Sequence, residues 1–264
     1  MHPFNYQNPK SVAEAAAALA KGGDVKLLAG GQSLIAAMKL RLSAPTDPID
    51  LGGIGELTGI RADGAGLTIG AMTRHAEVAG SKEVQAKIPA LASLAGSIGD
   101  RMVRNMGTIG GSLAHNDPVA DYPAAVLGLN ATVNTNKRRI AADDFFKGMF
   151  ETALQPGEII VSVSFPVPRR AAYAKFKNPA SRYAIVGVMA AATAGGVRVA
   201  VTGAASCVFR VAAMEKALSG NWSPDALAGI SVPVGELNSD MHASAEYRAH
   251  LVVVMARRAV EAAK

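Results

Sequence analysis

The sequence predicts an α+β protein with two domains, the first over residues 1–170 and the second over residues 171–264. Helix-like and hairpin-like segments alternate in the first part of the chain, which is typical of mixed α+β folds. The strand-like segment "PGEIIVSVSFPVP" is bounded by prolines, which indicates a boundary near Pro168. Three strand-like and two helix-like segments follow, so we expect a second core there.

The start of the chain contains one predicted helix and two predicted strands. Ser11 begins the helix "SVAEAAAALAKGG" with a glutamate three residues later, and Gly22 and Gly23 end it. "VKLLAGG" is a predicted buried strand that enters a Gly–Gly turn, after which "SLIAAMKLRL" continues as a helix or coil. "PTDPIDLGGI" is the second predicted strand.

The next segments are predicted as a hairpin, a helix and further strands. "LTGIRADGAGLTIGAMTRHAEV" gives two strands joined by a turn at "DGAG". "IPALASLAGSIGDRMVRN" is predicted as one amphipathic helix that leads into a second Gly–Gly turn at Gly110 and Gly111. In the second domain, "AYAKFKN", "YAIVGVMAAATAGG" and "VRVAVTGAAS" predict a three-stranded antiparallel sheet. "VFRVAAMEKALSG" and "SAEYRAHLVVVMARRAVEAA" predict helices.

Composition narrows the classes of function. No run approaches about 20 apolar residues, so no membrane span is predicted. The chain shows no basic start followed by an apolar segment, so we expect no signal peptide and a cytoplasmic location. Cys207 is the single cysteine, which excludes an internal disulfide. The net charge of +6 comes from scattered basic residues with few aromatics, which argues against nucleic acid and favours solvated loop ends, with attraction to an acidic protein partner as the alternative.

The two Gly–Gly turns are candidates for binding a pyrophosphate. Glycine allows a ligand to approach the main chain, and consecutive amides in such a turn form a concavity that binds anions. Each turn has a hydroxyl beside it, at Ser33 in the first and at Thr108 and Ser112 in the second. Each Gly pair alone is more typical of an ordinary tight turn. The sequence contains neither a P-loop motif nor a Rossmann fingerprint, so a dinucleotide ligand would have to be held in another way.

Two other classes of function remain open at this point. "AGSIG" is close to the nucleophile elbow of serine hydrolases, with Ser97 as nucleophile and His115 and Asp117 downstream. That motif needs a strand before the serine, whereas a helix is predicted there, and the order of the three residues differs. The other class is a dinucleotide-binding module without catalysis.

The loops "AGGQS" and "TIGGS", with "RN" at Arg104 and Asn105 just ahead of the second, resemble the FAD-binding medium subunit of molybdenum hydroxylases. The most similar type is the flavoprotein subunit of the carbon monoxide dehydrogenase and xanthine dehydrogenase family. This resemblance extends over essentially the whole chain. It implies a p-cresol methylhydroxylase-type FAD domain with subdomains at about 1–55 and 56–170, followed by a C-terminal α+β domain.

The resemblance also implies the residues that bind FAD. They are Ala29, Gly30, Gly31, Gln32, Ser33, Leu34, Thr108, Ile109, Gly110, Gly111, Ser112, Asp121, Ile160, Lys177 and Tyr183. Asp121 is expected near sugar hydroxyls of FAD, or alternatively as a helix cap. Lys177 and Tyr183 are expected beside the flavin ring, or alternatively as an ordinary surface lysine and strand aromatic. Gln32 stands where some relatives of this fold carry a histidine bonded to flavin, so non-covalent FAD is expected.

The resemblance further implies a relay of electrons between subunits. A molybdopterin cofactor on a large subunit oxidises the substrate, and two 2Fe–2S clusters on an iron–sulfur small subunit pass electrons to FAD on this chain. A dimer of heterotrimers is expected. One cysteine cannot hold a cluster that needs four thiolates, and the five histidines have no metal-binding spacing, so no metal site is predicted on this chain. No catalytic residue is predicted here besides the flavin itself.

Overall fold

The computed structural model describes residues 1–64 and 66–263. The strands are β1 (Val25–Leu28), β2 (Asp47–Asp50), β3 (Ile60–Asp63), β4 (Gly66–Gly70), β5 (Thr132–Thr135), β6 (Arg139–Ala141), β7 (Phe146–Gly148), β8 (Glu151–Thr152), β9 (Ile160–Pro166), β10 (Arg170–Lys177), β11 (Ala184–Thr193), β12 (Gly196–Thr202) and β13 (Phe209–Arg210). The helices are α1 (Val12–Leu19), α2 (Leu34–Lys39), α3 (His75–Gly80), α4 (Lys82–Lys87), α5 (Pro89–Gly96), α6 (Arg101–Met106), α7 (Ile109–His115), α8 (Tyr122–Gly128), α9 (Ala142–Phe145), α10 (Ala212–Gly220) and α11 (Ala245–Ala262).

The sheets follow the predicted α+β class, which is confirmed. β1 and β2 pair in parallel, and a five-stranded sheet has the order β3-β4-β9-β5-β6. A four-stranded antiparallel sheet has the order β10-β11-β12-β13, and β7 pairs with β8. The C-terminal sheet therefore contains the three predicted strands and one more. β13 is only two residues long, which is why periodicity alone does not reveal it.

Among the described residues, three hydrophobic cores hold these layers together. The smallest joins α1 to β2 through residues such as Ala15 and Ile49. The largest lies between the five-stranded sheet and helices α5, α7 and α8, and it includes Met189 of β11. The third joins the opposite face of β11, through residues such as Val188, to α11. β11 is buried along its whole length and belongs to two cores.

Several local predictions hold, and two need correction. Ser11 caps α1 by accepting a hydrogen bond from the Glu14 amide at 3.2 Å, as predicted. The single helix predicted before the second Gly–Gly turn is two helices, α5 and α6. Gly99 breaks it with a φ of +47°, and Asp100 caps α6 by accepting from the Val103 amide.

The second Gly–Gly pair is not a turn. Thr108 is the N-cap of α7, and Gly110 and Gly111 lie in the first turn of that helix. The predicted hairpin turn "DGAG" includes Ala65, which lies outside the described residues, but β3 and β4 pair antiparallel on either side of it. Within residues 1–64 and 66–263, no helix has the length and apolar character needed to cross a membrane.

Candidate functional site

The structure places the two glycine loops side by side. The first loop (residues 29–33) connects β1 to α2, and the second loop (residues 108–112) begins α7 directly after α6. A Cβ atom on Gly30 would lie 2.7 Å from the Gly107 Cα, and one on Gly111 would lie 3.2 Å from the Ala29 Cβ. The glycines therefore allow the two segments to pack at backbone distance.

The first loop offers a run of unused amides. Within the part of the chain that the structure describes, the backbone N–H groups of residues 30–34 donate to no protein acceptor. Gly31 has a φ of +73°, in the left-handed region that favours glycine, and this conformation turns the chain between β1 and α2. Successive free amides in such a turn make a concavity that binds anions.

The second loop differs from the expectation, because the amides of residues 109–112 are already used. Ile109 donates to Thr73 O, Gly110 to Ala71 O, Gly111 to Thr108 Oγ1 and Ser112 to Thr108 O. The Ser112 hydroxyl is a free donor on this side, because neither it nor the Ser33 hydroxyl has a hydrogen-bond partner among the described residues. The second loop therefore contributes a tight wall and a hydroxyl, and the first loop contributes the amides.

Asp121 lies at the start of α8 in a buried polar cluster. Its carboxylate accepts a hydrogen bond from the Tyr173 hydroxyl at 2.5 Å and forms an ion pair with the Lys175 Nζ at 3.0 Å. Burial raises the pKa of Asp121, and the nearby Lys175 ammonium opposes that rise. The side chain does not cap α8, so that alternative is wrong. The predicted contact with sugar hydroxyls of FAD stays a prediction.

Sequence reasoning missed Tyr173 and Lys175, although a signal for them is present in the chain. In "RAAYAKFK" of β10, Tyr173, Lys175 and Lys177 alternate along one face of the strand, and a lysine in the middle of a strand needs a partner. Lys177 is exposed at the end of β10, beside a β-bulge. Its predicted place beside the flavin stays a prediction.

The two remaining predicted residues lie in different surroundings. Ile160 is buried at the start of β9 and belongs to the largest core. Tyr183 is half-exposed in the turn before β11. Burial raises the pKa of Tyr183, as do the negative charges of Asp117 and Asp121.

The hydrolase alternative is wrong. Ser97 ends helix α5, and its hydroxyl donates to the Leu94 carbonyl oxygen at 2.7 Å. His115 lies at the exposed end of α7, and the Asp117 carboxylate accepts from the Val119 amide. The helix before Ser97 does not form the sharp turn after a strand that the nucleophile elbow needs.

His75 lies directly behind the second loop. Its side chain is buried, the ring of Tyr122 lies 5.2 Å away, and a Cβ on Gly107 would meet its ring at 2.5 Å. The His75 Nδ1 has no hydrogen-bond partner among the described residues. Burial, reinforced by the positive charge of Arg104, lowers the pKa of His75 to about 4.

Acid is therefore expected to destabilise the chain through His75. Below the ordinary pKa of 6.5, His75 is protonated in the unfolded state. In the folded state it stays neutral until the pH falls to about 4. Over that window His75 contributes a loss of about 3 kcal/mol to the free energy of unfolding. Urea titrations at a series of pH values measure it. His75→Gln should remove this part of the pH dependence, whereas His250→Gln, at an exposed histidine, should keep it. Equal acid sensitivity in all three proteins would contradict the assignment.

Comparisons with known proteins identify the family. Residues 2–168 match the FAD binding domain in molybdopterin dehydrogenase, and residues 171–263 match the CO dehydrogenase flavoprotein C-terminal domain. The carbon monoxide dehydrogenase medium chain of Afipia carboxidovorans is 37% identical, over 99% of this chain and 96% of that protein. The nicotine 6-hydroxylase medium subunit of Paenarthrobacter nicotinovorans is 36% identical, over 97% of this chain and 96% of that protein. A crystal structure of cyanide-inactivated Cu,Mo-CO dehydrogenase matches with a TM-score of 0.90 and 37% identity, over 99% of this chain and 98% of that chain.

These similarities and the two adjacent glycine loops define an FAD-binding subunit of an oxidoreductase. The chain belongs to the family of FAD-binding medium subunits of molybdenum hydroxylases. The resemblance, the FAD cofactor and the oxidoreductase class expected from the sequence are confirmed. Its relatives are named as the medium chain or medium subunit of their enzymes.

Proposed function

We propose that the chain holds FAD non-covalently with the pyrophosphate against the first loop, and that it passes electrons from an iron–sulfur small subunit to an external acceptor. The observation that carries this proposal is the run of unused amides at residues 30–34 beside the wall formed by the second loop. Residues 29–34 and 108–112 are the proposed pyrophosphate contacts, and Asp121, Ile160, Lys177 and Tyr183 are the proposed contacts farther along the cofactor.

The residues of the two loops fit a pyrophosphate, because their hydrogen-bond donors suit its negative charge. A pyrophosphate is a dianionic acceptor, and the first loop supplies amides while Ser33 and Ser112 supply hydroxyls. Bound FAD supplies the chemistry of accepting and releasing electrons one or two at a time. The chain's own residues bind and orient that cofactor. We place the molybdopterin on the large subunit, two 2Fe–2S clusters on the small subunit, and the complex in the cytoplasm as a dimer of heterotrimers.

The two loop hydroxyls give a clean test of the site. Ser33→Ala and Ser112→Ala each remove a hydroxyl without breaking a described contact, so the free energy of unfolding of the FAD-free chain should not change. Each should weaken FAD binding by roughly tenfold to a hundredfold, the value of a hydrogen bond to a charged group. Ser93→Ala, at an exposed serine of α5, is the control. Flavin fluorescence titration measures the Kd, and wild-type affinity in both loop variants would contradict the site.

Electron transfer has its own test. The purified chain should be yellow and release FAD on acid precipitation. Its flavin absorbance should bleach when the reduced small subunit is added without oxygen. FAD that binds but is never reduced by that partner would favour a binding module without catalysis. Relatives with similar medium chains are named for carbon monoxide and for nicotine, so we assign no substrate to this chain.

A further inference from the structure

We propose that Lys175 is a positioning residue that clamps the Tyr183 turn (residues 178–183) onto the N-terminal domain and so fixes Tyr183 at the edge of the FAD site. This inference rests on the proposed function, because it takes Tyr183 to border the cofactor. Lys175 itself need not touch FAD, since its ammonium is already occupied.

The Lys175 ammonium has three hydrogens and three acceptors on separate elements. Its Nζ donates to the Asp121 Oδ2 at 3.1 Å, to the Ser97 carbonyl oxygen at 3.0 Å and to the Arg182 carbonyl oxygen at 3.1 Å. The Lys175 side chain is only 5% exposed. Ser97 ends α5 and Asp121 precedes α8, so one buried cation joins both helices to the Tyr183 turn.

Besides Lys175, two long hydrogen bonds hold the Tyr183 turn against the rest of the protein. The Arg182 Nη1 donates to the Gly99 carbonyl oxygen at 3.4 Å, and the Asn178 Nδ2 lies 3.4 Å from the His242 Nδ1. Residues 179–183 are all exposed, and Arg182 has a φ of +64°. Its hydrogen bonds are mostly internal: the Asn178 side chain accepts from the amides of Ala180 and Ser181. The one buried side chain that donates to this turn, among the described residues, is Lys175. Without it, only the two long bonds to Gly99 and His242 would oppose movement of the turn among the described hydrogen bonds, because its internal bonds do not fix its position.

Tyr173 holds the Asp121 carboxylate in place, and that carboxylate in turn orients the Lys175 ammonium. Its hydroxyl donates to the Asp121 Oδ1 at 2.5 Å, and its ring lies across Gly187 of β11. A Cβ on Gly187 would come within 2.8 Å of the Tyr173 Cζ, so glycine leaves the space that the phenol needs. The cluster is therefore built into both domains, and through the Arg182 carbonyl oxygen it contacts the residue directly before Tyr183.

Lys175→Met tests the clamp in the full-length chain loaded with FAD. Hydrogen exchange at the amides of residues 180–183 should be faster by about tenfold or more, as expected when a charge-assisted hydrogen bond is lost. The visible circular dichroism of bound flavin should change, and the Kd for FAD should rise. Lys216→Met, the same change at an exposed lysine of α10, should leave all three measurements as in the wild type.

A second variant guards against misfolding, since Lys175→Met leaves Asp121 buried without a cation. The double variant Lys175→Met/Asp121→Asn removes both charges and should fold, yet still show fast exchange in the Tyr183 turn. Wild-type exchange in that turn would overturn the clamp. Fast exchange with unchanged flavin dichroism and Kd would overturn the link to Tyr183. If Ser33→Ala and Ser112→Ala weaken FAD binding in that case, the proposed site stands while this inference fails.

Discussion

Replacement of Gly30 by alanine is expected to abolish FAD binding. The added Cβ would overlap the Met106 carbonyl oxygen and lie 2.7 Å from the Gly107 Cα, and backbone cannot yield as a flexible side chain does. The first loop must then move away from the second, which separates its free amides from the wall formed by α7. We expect the Kd for FAD to rise by at least about a hundredfold, or about 3 kcal/mol.

Flavin content after purification and fluorescence titration measure this effect. Gly235→Ala is the matched control, because a Cβ at that position meets nothing within 4 Å and its φ is not left-handed. Gly31→Val is a second variant at the same loop, where the left-handed φ of +73° itself opposes a branched side chain. Full flavin content in Gly30→Ala would show that the contact between the loops does not shape the binding site.

Replacement of Arg248 by methionine is expected to destabilise the C-terminal domain strongly. Arg248 lies at the start of α11 and is only 2% exposed. Its guanidinium donates to the carbonyl oxygens of Ile185 at 2.7 Å and Gly203 at 2.9 Å, which lie just beyond the paired residues of β11 and β12. Methionine fills the space but leaves both carbonyls without that donor. We expect a loss of about 3 kcal/mol in the free energy of unfolding.

Urea denaturation followed by circular dichroism measures that loss. Arg257→Met on the same helix is the control, because its partner Asp225 is largely exposed and such surface pairs stabilise little. The control should change the free energy of unfolding by less than about 0.5 kcal/mol. Equal stability of the two variants would mean that Arg248 does not hold the end of the sheet.

The regular parts of this fold could be predicted because their signals are local. Helix α1 has its cap at Ser11, and the three long C-terminal strands show apolar runs bounded by turns. The break between α5 and α6 depends on two residues, Gly99 and Asp100. They lie inside a segment whose apolar residues recur at helical spacing, and that spacing by itself predicts one continuous helix. The two-residue strand β13 exists only because β12 lies beside it.

The two glycine loops could be predicted to lie together because each carries its glycines and hydroxyls in consecutive positions. The unequal roles of the two loops could not be predicted. The amides at the start of α7 donate to the carbonyl oxygens of Ala71 and Thr73, which lie more than thirty residues away in the chain. Lys175 was missed for the same reason. Its acceptors Ser97 and Asp121 are 78 and 54 residues distant, and only the folded chain shows that they meet.

The burial of β11 on both faces has a consequence for how such subunits can diverge. Met189 packs into the core beneath the flavin domain, where Gly128 of α8 makes room for it, while Val188 packs against the C-terminal helix. A substitution that shifts β11 on one face therefore also disturbs the packing of the core on its other face. The two halves of this chain are therefore not interchangeable modules. A chimaera spliced near residue 170 needs matched side chains on α8 and β11 to regain a single well-packed state.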